Sequence, residues 1–206
     1  MNKSEKFWDR AANTYDQEEK KDEQIYIKII EKTKKYLKIG DIVLDYGCGT
    51  GTIDIEIAGD VKKIRAIDIS SKMINLAKRK TGERKIKNID YVQATIHDER
   101  LTRESFDVIT AFTILHLGEE MREVIKRINE LLKPGGLFIS TTPCMGEKKL
   151  LSTLLSLVSK IGLIPNIRSF KFSELENSIA NGNFKIIETE RLHHSSPIYF
   201  VAAKKI

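Results

Sequence analysis

Between residues 42 and 142, short runs rich in β-branched residues alternate with longer stretches of helical periodicity. That alternation leaves few architectures open. Strands separated by helices form a mostly parallel sheet, because a chain that crosses over through a helix returns in its original direction. The strand-like runs are IVLDY (42–46), KIRAIDI (63–69), NIDYVQA (88–94), FDVITAF (106–112) and LFISTT (137–142). Helices are expected from about 51, after a Ser70 or Ser71 cap with Met73, Ile74 and Ala77 facing inward, and over 119–132. In the last of these Met121, Val124, Ile125, Ile128 and Leu132 share one side, and Pro134-Gly135-Gly136 turns the chain into the fifth strand. Two helices precede the sheet: 3–16, carrying Phe7, Trp8 and Tyr15, and 22–38, with Ile25, Ile29, Ile30, Tyr36 and Leu37 along one side. After residue 142 the rhythm changes. FKIIETE (184–190) and PIYFVAAKK (197–205) read as a hairpin, so its return strand is antiparallel to its neighbour.

Composition narrows the class. With 206 residues, 41% apolar and 31% charged, the chain reads as one domain spanning 1–206 whose core needs no disulfide or metal staple. Two cysteines exclude a disulfide scaffold and a four-cysteine zinc site. The polar start, MNKSEKFWDRAANTYD, lacks the apolar run of a signal peptide, and no stretch approaches the ~20 residues of a membrane span, so a cytoplasmic protein is expected. The net charge of +6 comes from 35 basic and 29 acidic residues mixed along the chain, which reads as a solvated Lys-rich surface ahead of a nucleic-acid site. Oligomeric state is not encoded in any of these patterns.

The loop after the first strand reads Asp45-Tyr46-Gly47-Cys48-Gly49-Thr50-Gly51. In open α/β sheets, ligands bind at the carboxyl ends of the strands. Glycines there let the main chain turn sharply beside a ligand, and the helix that follows offers N–H groups to an anion. A dinucleotide fingerprint requires glycine at 52, where Thr52 stands, and a P-loop requires a Lys-[Ser/Thr] pair that does not follow. Asp45 is a strand-tip carboxylate able to meet an ammonium, and Asp68, closing the second strand, can accept from the two hydroxyls of a ribose. A ligand with an amino-acid end and a ribose end is S-adenosyl-L-methionine.

VLDYGCGTG (43–51), AIDIS (66–70), FDVITAFTILHL (106–117) and LLKPGGLFI (131–139) together resemble the motif series of class I S-adenosylmethionine-dependent methyltransferases, closest to the small-molecule type that includes quinone and sterol methyltransferases. The pair Tyr15-Asp16 is similar to an amino-terminal element of that group. The resemblance implies an α/β, Rossmann-like sheet of seven strands, mostly parallel, with an antiparallel C-terminal hairpin strand and helices on both faces. It implies that Asp45, Gly47, Cys48 and Gly49 hold the methionine end and Asp68 the ribose, with Ile69 and Met73 near the adenine and Phe112 lining the pocket. Where the family often has Gly-Asp-Ala, this chain has Ala94-Thr95-Ile96, so Thr95 and Ile96 would meet the adenine without the usual acid; Asp98 is a lesser substitute.

Methyl transfer from a sulfonium needs in-line approach, and a base only when the acceptor must lose a proton. His116, in the L-H-H-like segment after the fourth strand, is the candidate to orient or deprotonate an acceptor, with packing as the alternative. Tyr15 belongs either to a helical lid over the site, formed by 1–40, or to plain helix packing. His97 and the pair His193-His194 read as solvated loop residues, and Cys144 as a small buried thiol. The stretch Lys148–Ile161 is amphipathic, with Leu150, Leu151, Leu154, Leu155, Val158 and Ile161 on one face. It reads as an ordinary sheet-covering helix, or more sharply as a lid over an apolar acceptor or a membrane-surface helix. Together 143–183 would cap a small-molecule substrate. A nucleic-acid methyltransferase and a non-catalytic cofactor-binding module remain as alternatives.

Overall fold

The structure is a computed structural model that describes residues 3–117, 120–147, 167–193 and 196–206. Seven strands form one sheet in the order β3-β2-β1-β4-β5-β7-β6. They are β1 (Ile42–Tyr46), β2 (Lys63–Asp68), β3 (Ile89–Gln93), β4 (Phe106–Phe112), β5 (Leu132–Pro143), β6 (Phe184–Arg191) and β7 (Ile198–Lys205). β1 to β5 pair parallel, and β7 runs antiparallel to both β5 and β6. The helices are α1 (Lys3–Lys21), α2 (Glu23–Lys34), α3 (Thr52–Ile57), α4 (Ser71–Glu83), α5 (Met121–Leu131) and α6 (Phe172–Asn181).

The two-residue period of a strand sorts side chains between two cores. Leu44, Ile67, Ile109, Phe138 and Val201 meet α5 and α6 on one face. Val43, Ala66, Val108, Ile139 and Phe200 meet α2, α3 and α4 on the other. Asp45 and Thr110 share the parity of Val43 and Val108, and they are paired across β1 and β4. Both therefore face the α3 side.

Several boundaries differ from the expectation, among them the end of α2, which stops at Lys34 and not at 38. The first helix continues five residues past Asp16, to Lys21. The helix after the glycine turn is only Thr52–Ile57, followed by a 3-10 turn. The Pro134-Gly135-Gly136 segment does not precede the fifth strand but lies within it, as a bulge: Phe106 pairs with Leu132 and Val108 with Leu137. Gly135 takes φ +72 there, and Lys133 pairs with Asp107 at 2.7 Å. At the other end, Lys32 of α2 reaches Glu188 and Glu190 of β6 and lies 5.0 Å over the Phe200 ring, fastening α2 to the hairpin. The amphipathic stretch Lys148–Ile161, Pro165 and His194 lie outside the described residues.

Candidate active site

The chain leaves β1 by folding back on β2. The N–H groups of Gly47 and Cys48 both donate to the Ile67 carbonyl, at 2.8 and 3.0 Å, which pins the turn to the next strand. Gly47 and Gly51 take φ +79 and +74, a region side chains rarely enter. A Cβ at Gly47 would sit 2.8 Å from Ile114, and one at Gly51 2.3 Å from the Tyr91 hydroxyl. Both positions thus require glycine twice over, by conformation and by space.

Asp68 closes β2 opposite this turn. Its Oδ2 accepts from the Gly49 N–H at 3.1 Å and its Oδ1 from the Ser70 N–H at 2.8 Å. Burial raises its pKa, and those two N–H groups oppose the rise. Each carboxylate oxygen keeps a further acceptor site, which is what the vicinal hydroxyls of a ribose would need. Asp45, 4% exposed, accepts from the Thr110 hydroxyl; burial foremost, and the charge of Asp68, lift it to about 6 despite that bond. A glycine cradle that a Cβ would fill and a strand-end carboxylate with spare acceptor capacity fit S-adenosylmethionine.

Helix α1 lies across this end of the sheet, held by its acids. Asp9 accepts from the Ser70 hydroxyl at 2.6 Å and the Lys72 N–H at 3.2 Å, and Ser70 in turn caps α4 by accepting from Met73 N. Asp16 accepts from Thr50, and Glu19 from Thr52, at the start of α3; Lys80 of α4 bonds Asp16, Thr50 and Thr52 at 3.0 Å each. The Tyr15 ring lies 3.3 Å from the place a Gly49 Cβ would take. Burial, then Glu19 and Asp68, push its hydroxyl above the usual tyrosine range, so it stays a neutral phenol.

The other expected residues are spread along the same edge. Ile69 is half-buried and its carbonyl accepts from Gln93; Met73 is buried on α4; Phe112 is half-buried at the end of β4. Burial drives the Cys48 thiol well up, with the surrounding carboxylates adding to the effect. Ile96 is fully buried in the core, and its carbonyl is taken by Arg127, whereas Thr95 is exposed and accepts from His97 N. Asp98 is bound to Arg100, which holds it down at about 2. His116 is 9% exposed, its Nδ1 meets no partner among the described residues, and burial lowers it to about 4. Cys144 is buried and His193 exposed. Among the described residues, no cluster of three His, Cys, Asp or Glu is placed to hold a metal. Asp9, Glu19, Thr110, Lys80, Tyr91 and Asp54 were not legible as site residues. Each is an isolated polar residue in sequence, brought to the turn only by packing.

Strand order 3214576 with an antiparallel seventh strand, and a glycine turn facing a strand-end acid, define the class I methyltransferase fold. A family model described as a methyltransferase domain matches residues 37–186, and the chain belongs to that family of S-adenosyl-L-methionine-dependent methyltransferases. It is 35% identical to the demethylmenaquinone methyltransferase of Lactococcus lactis subsp. lactis (strain IL1403) over 112 residues, 51% of this chain and 44% of that protein. The match thus spans less than half of that relative's length. It is 28% identical to the ubiquinone biosynthesis O-methyltransferase of Rickettsia bellii (strain OSU 85-389) over 171 residues, 80% of this chain and 70% of that one. Geranyl diphosphate methyltransferase, solved with geranyl diphosphate and sinefungin, shares the fold with TM-score 0.71 at 14% identity, covering 86% of this chain and 76% of that one. Among the described residues, no helix is long and apolar enough to cross a membrane.

Proposed function

We propose that the chain transfers a methyl group from S-adenosyl-L-methionine to a small, largely apolar acceptor at the carboxyl ends of β1 and β4. The donor supplies a methyl already activated on a sulfonium. The chain's part is then to bind, orient and exclude water. In this reading Gly47, Cys48 and Gly49 give main-chain contacts to the methionine end, Asp45 meets its ammonium, and Asp68 accepts from the ribose. Ile69, Met73 and Phe112 border the nucleoside, and Thr95 and Ile96 lie at the adenine edge, where main-chain groups replace the missing acid.

The observation that carries the acceptor class is the exit of β4. Phe112, Ile114 and Leu115 are apolar, and His116 beyond them is buried and uncharged. An imidazole that weakly basic orients an acceptor hydroxyl better than it removes the proton. Tyr15, neutral over Gly49, closes the site without acting as a base. The quinone-pathway names of the two relatives favour the same acceptor chemistry. Two free cysteines suit the reducing cytoplasm.

Calorimetric titration with S-adenosylhomocysteine should show binding that Asp68→Ala weakens by at least tenfold. Incubating the protein and labelled donor with separated lipid-soluble and RNA fractions should place the label in the lipid-soluble fraction. Label in RNA, or no binding of S-adenosylhomocysteine, overturns the reading.

A further inference from the structure

Behind the glycine turn lies a second carboxyl to which the cofactor contacts give no task. Asp54 sits in the first turn of α3, 1% exposed, and neither of its oxygens makes a well-formed hydrogen bond to a donor among the described residues, although the Tyr91 hydroxyl comes near enough to favour its charge. A buried carboxylate without such a bond is costly to keep ionised. Its neighbour is Asp45, on the sheet face that α3 covers, and the two carboxyls are within hydrogen-bonding reach. Thr110 already donates to Asp45. Ionised carboxyls only accept, so two of them satisfy each other only when one retains its proton. The well-formed Thr110 bond favours charge on Asp45 more than the looser approach of Tyr91 favours it on Asp54, which leaves the proton with Asp54.

We propose that Asp54 remains a protonated acid in the working protein and donates a hydrogen bond to Asp45, holding Asp45 as the carboxylate that meets the ammonium of the methyl donor. This rests on the assignment of Asp45 to the methionine end. The groups facing the pair come from each neighbouring element: Asp68 at the end of β2, Cys48 in the turn, Tyr91 on β3 and Thr110 on β4. None is a cation, and Lys80 of α4 is engaged with Asp16, Thr50 and Thr52. Burial, and then the charge of Asp45, raise Asp54 well above the carboxylate range. At Asp45 the bond from Asp54 opposes the rise that burial causes. Asp54 is thus a positioning residue: a carboxylic acid kept neutral so that it can donate, a device other enzymes use at catalytic sites.

The test is a calorimetric titration of the full chain with S-adenosylhomocysteine, which carries the same ammonium end, from pH 5 to 8. In the unaltered protein affinity should be level above the Asp45 value of about 6 and fall up to tenfold per pH unit below it. Asp54→Ala removes the donor, so the acid limb should move up by about one unit and affinity at pH 7 should drop severalfold. Asp54→Asn, whose amide can donate, should restore the profile. Infrared difference spectra between the unaltered protein and Asp54→Asn at pH 7.5 should show one protonated-carboxyl carbonyl band, lost in the variant. This readout holds even where Asp54→Ala fails to fold. An unshifted limb in a folded Asp54→Ala, or the absence of that band, overturns the proposal. Failure of the unaltered protein to bind at pH 8 refutes instead the cofactor assignment beneath it.

Discussion

Gly51 and Tyr91 meet at a separation that leaves no room for one added methyl, and this contact shapes the floor of the site. Tyr91 is buried on β3, its hydroxyl accepts from Thr81, and burial pushes it above the usual tyrosine range. Gly51→Ala therefore carries two costs. The left-handed conformation costs about 1–2 kcal/mol, and the collision with the Tyr91 hydroxyl adds roughly 1–3 kcal/mol. Gly59 offers the control, since a Cβ there meets nothing within 4 Å and its φ is not positive. In a thermal melt, Gly51→Ala should lower Tm by on the order of 10 °C, while Gly59→Ala should leave it unchanged or slightly higher. Equal shifts for both would show that Tyr91 yields easily. The three glycines were legible because their spacing after a strand has few other uses. Tyr91 and Asp54 were not, because a tyrosine in a strand and an acid in a first helical turn are both ordinary where they stand.

At the scale of elements, the strands were legible and the way α1 lies was not. Period-two apolar runs such as 106–112 mark both faces of a buried strand, so β1 to β5 could be placed within a residue or two; only the start of β5 was missed, because proline and glycine mark a bulge as readily as a stop. α1 has no comparable signal. Its buried residues are Ala12 and Asp9, and its hold on the molecule is polar: Asp9 on Ser70, Asp16 on Thr50 and Lys80, Glu19 on Thr52. Sequence shows acids on a helix but not the hydroxyls that packing brings beneath them. A helix with few buried apolar contacts opens ahead of the core. Amide hydrogen exchange should thus run faster in α1 than in α4 or β1. Asp9→Ala, which removes two bonds worth about 1–2 kcal/mol together, should speed exchange in α1 by roughly tenfold while β1 changes little. Equal slowing or quickening of both would mean that α1 unfolds only with the whole sheet.

For the molecule as a whole, the site and the core pull stability in opposite directions with pH. Asp45 has a folded value of about 6, above its ordinary one, so the native state holds more protons than the unfolded chain between about pH 4 and 6. Its contribution is full at low pH and is lost as pH rises through that window, by about 3 kcal/mol. Asp68 shifts in the same direction and adds to this. His116 has a folded value of about 4, below its ordinary one, so here the unfolded chain holds more protons. Its contribution rises from about pH 4 to 6.5, again by about 3 kcal/mol. Asp54, raised well above its ordinary value, keeps its proton in the fold while the unfolded chain ionises, so it too, like Asp45, loses stability as pH rises through this range. His116 thus offsets part of the stability that the raised acids lose as pH rises. Removing either side should expose the other. In urea unfolding at pH 4.5 and 6.5, the stability of Asp45→Asn should change more favourably with rising pH than that of the unaltered protein, by about 2 kcal/mol, because one of the acid slopes is gone. His116→Asn should depart from the unaltered protein in the opposite sense, losing about 2 kcal/mol more over the same interval. Parallel slopes in the two variants would mean that neither group is held at the protonation its burial dictates.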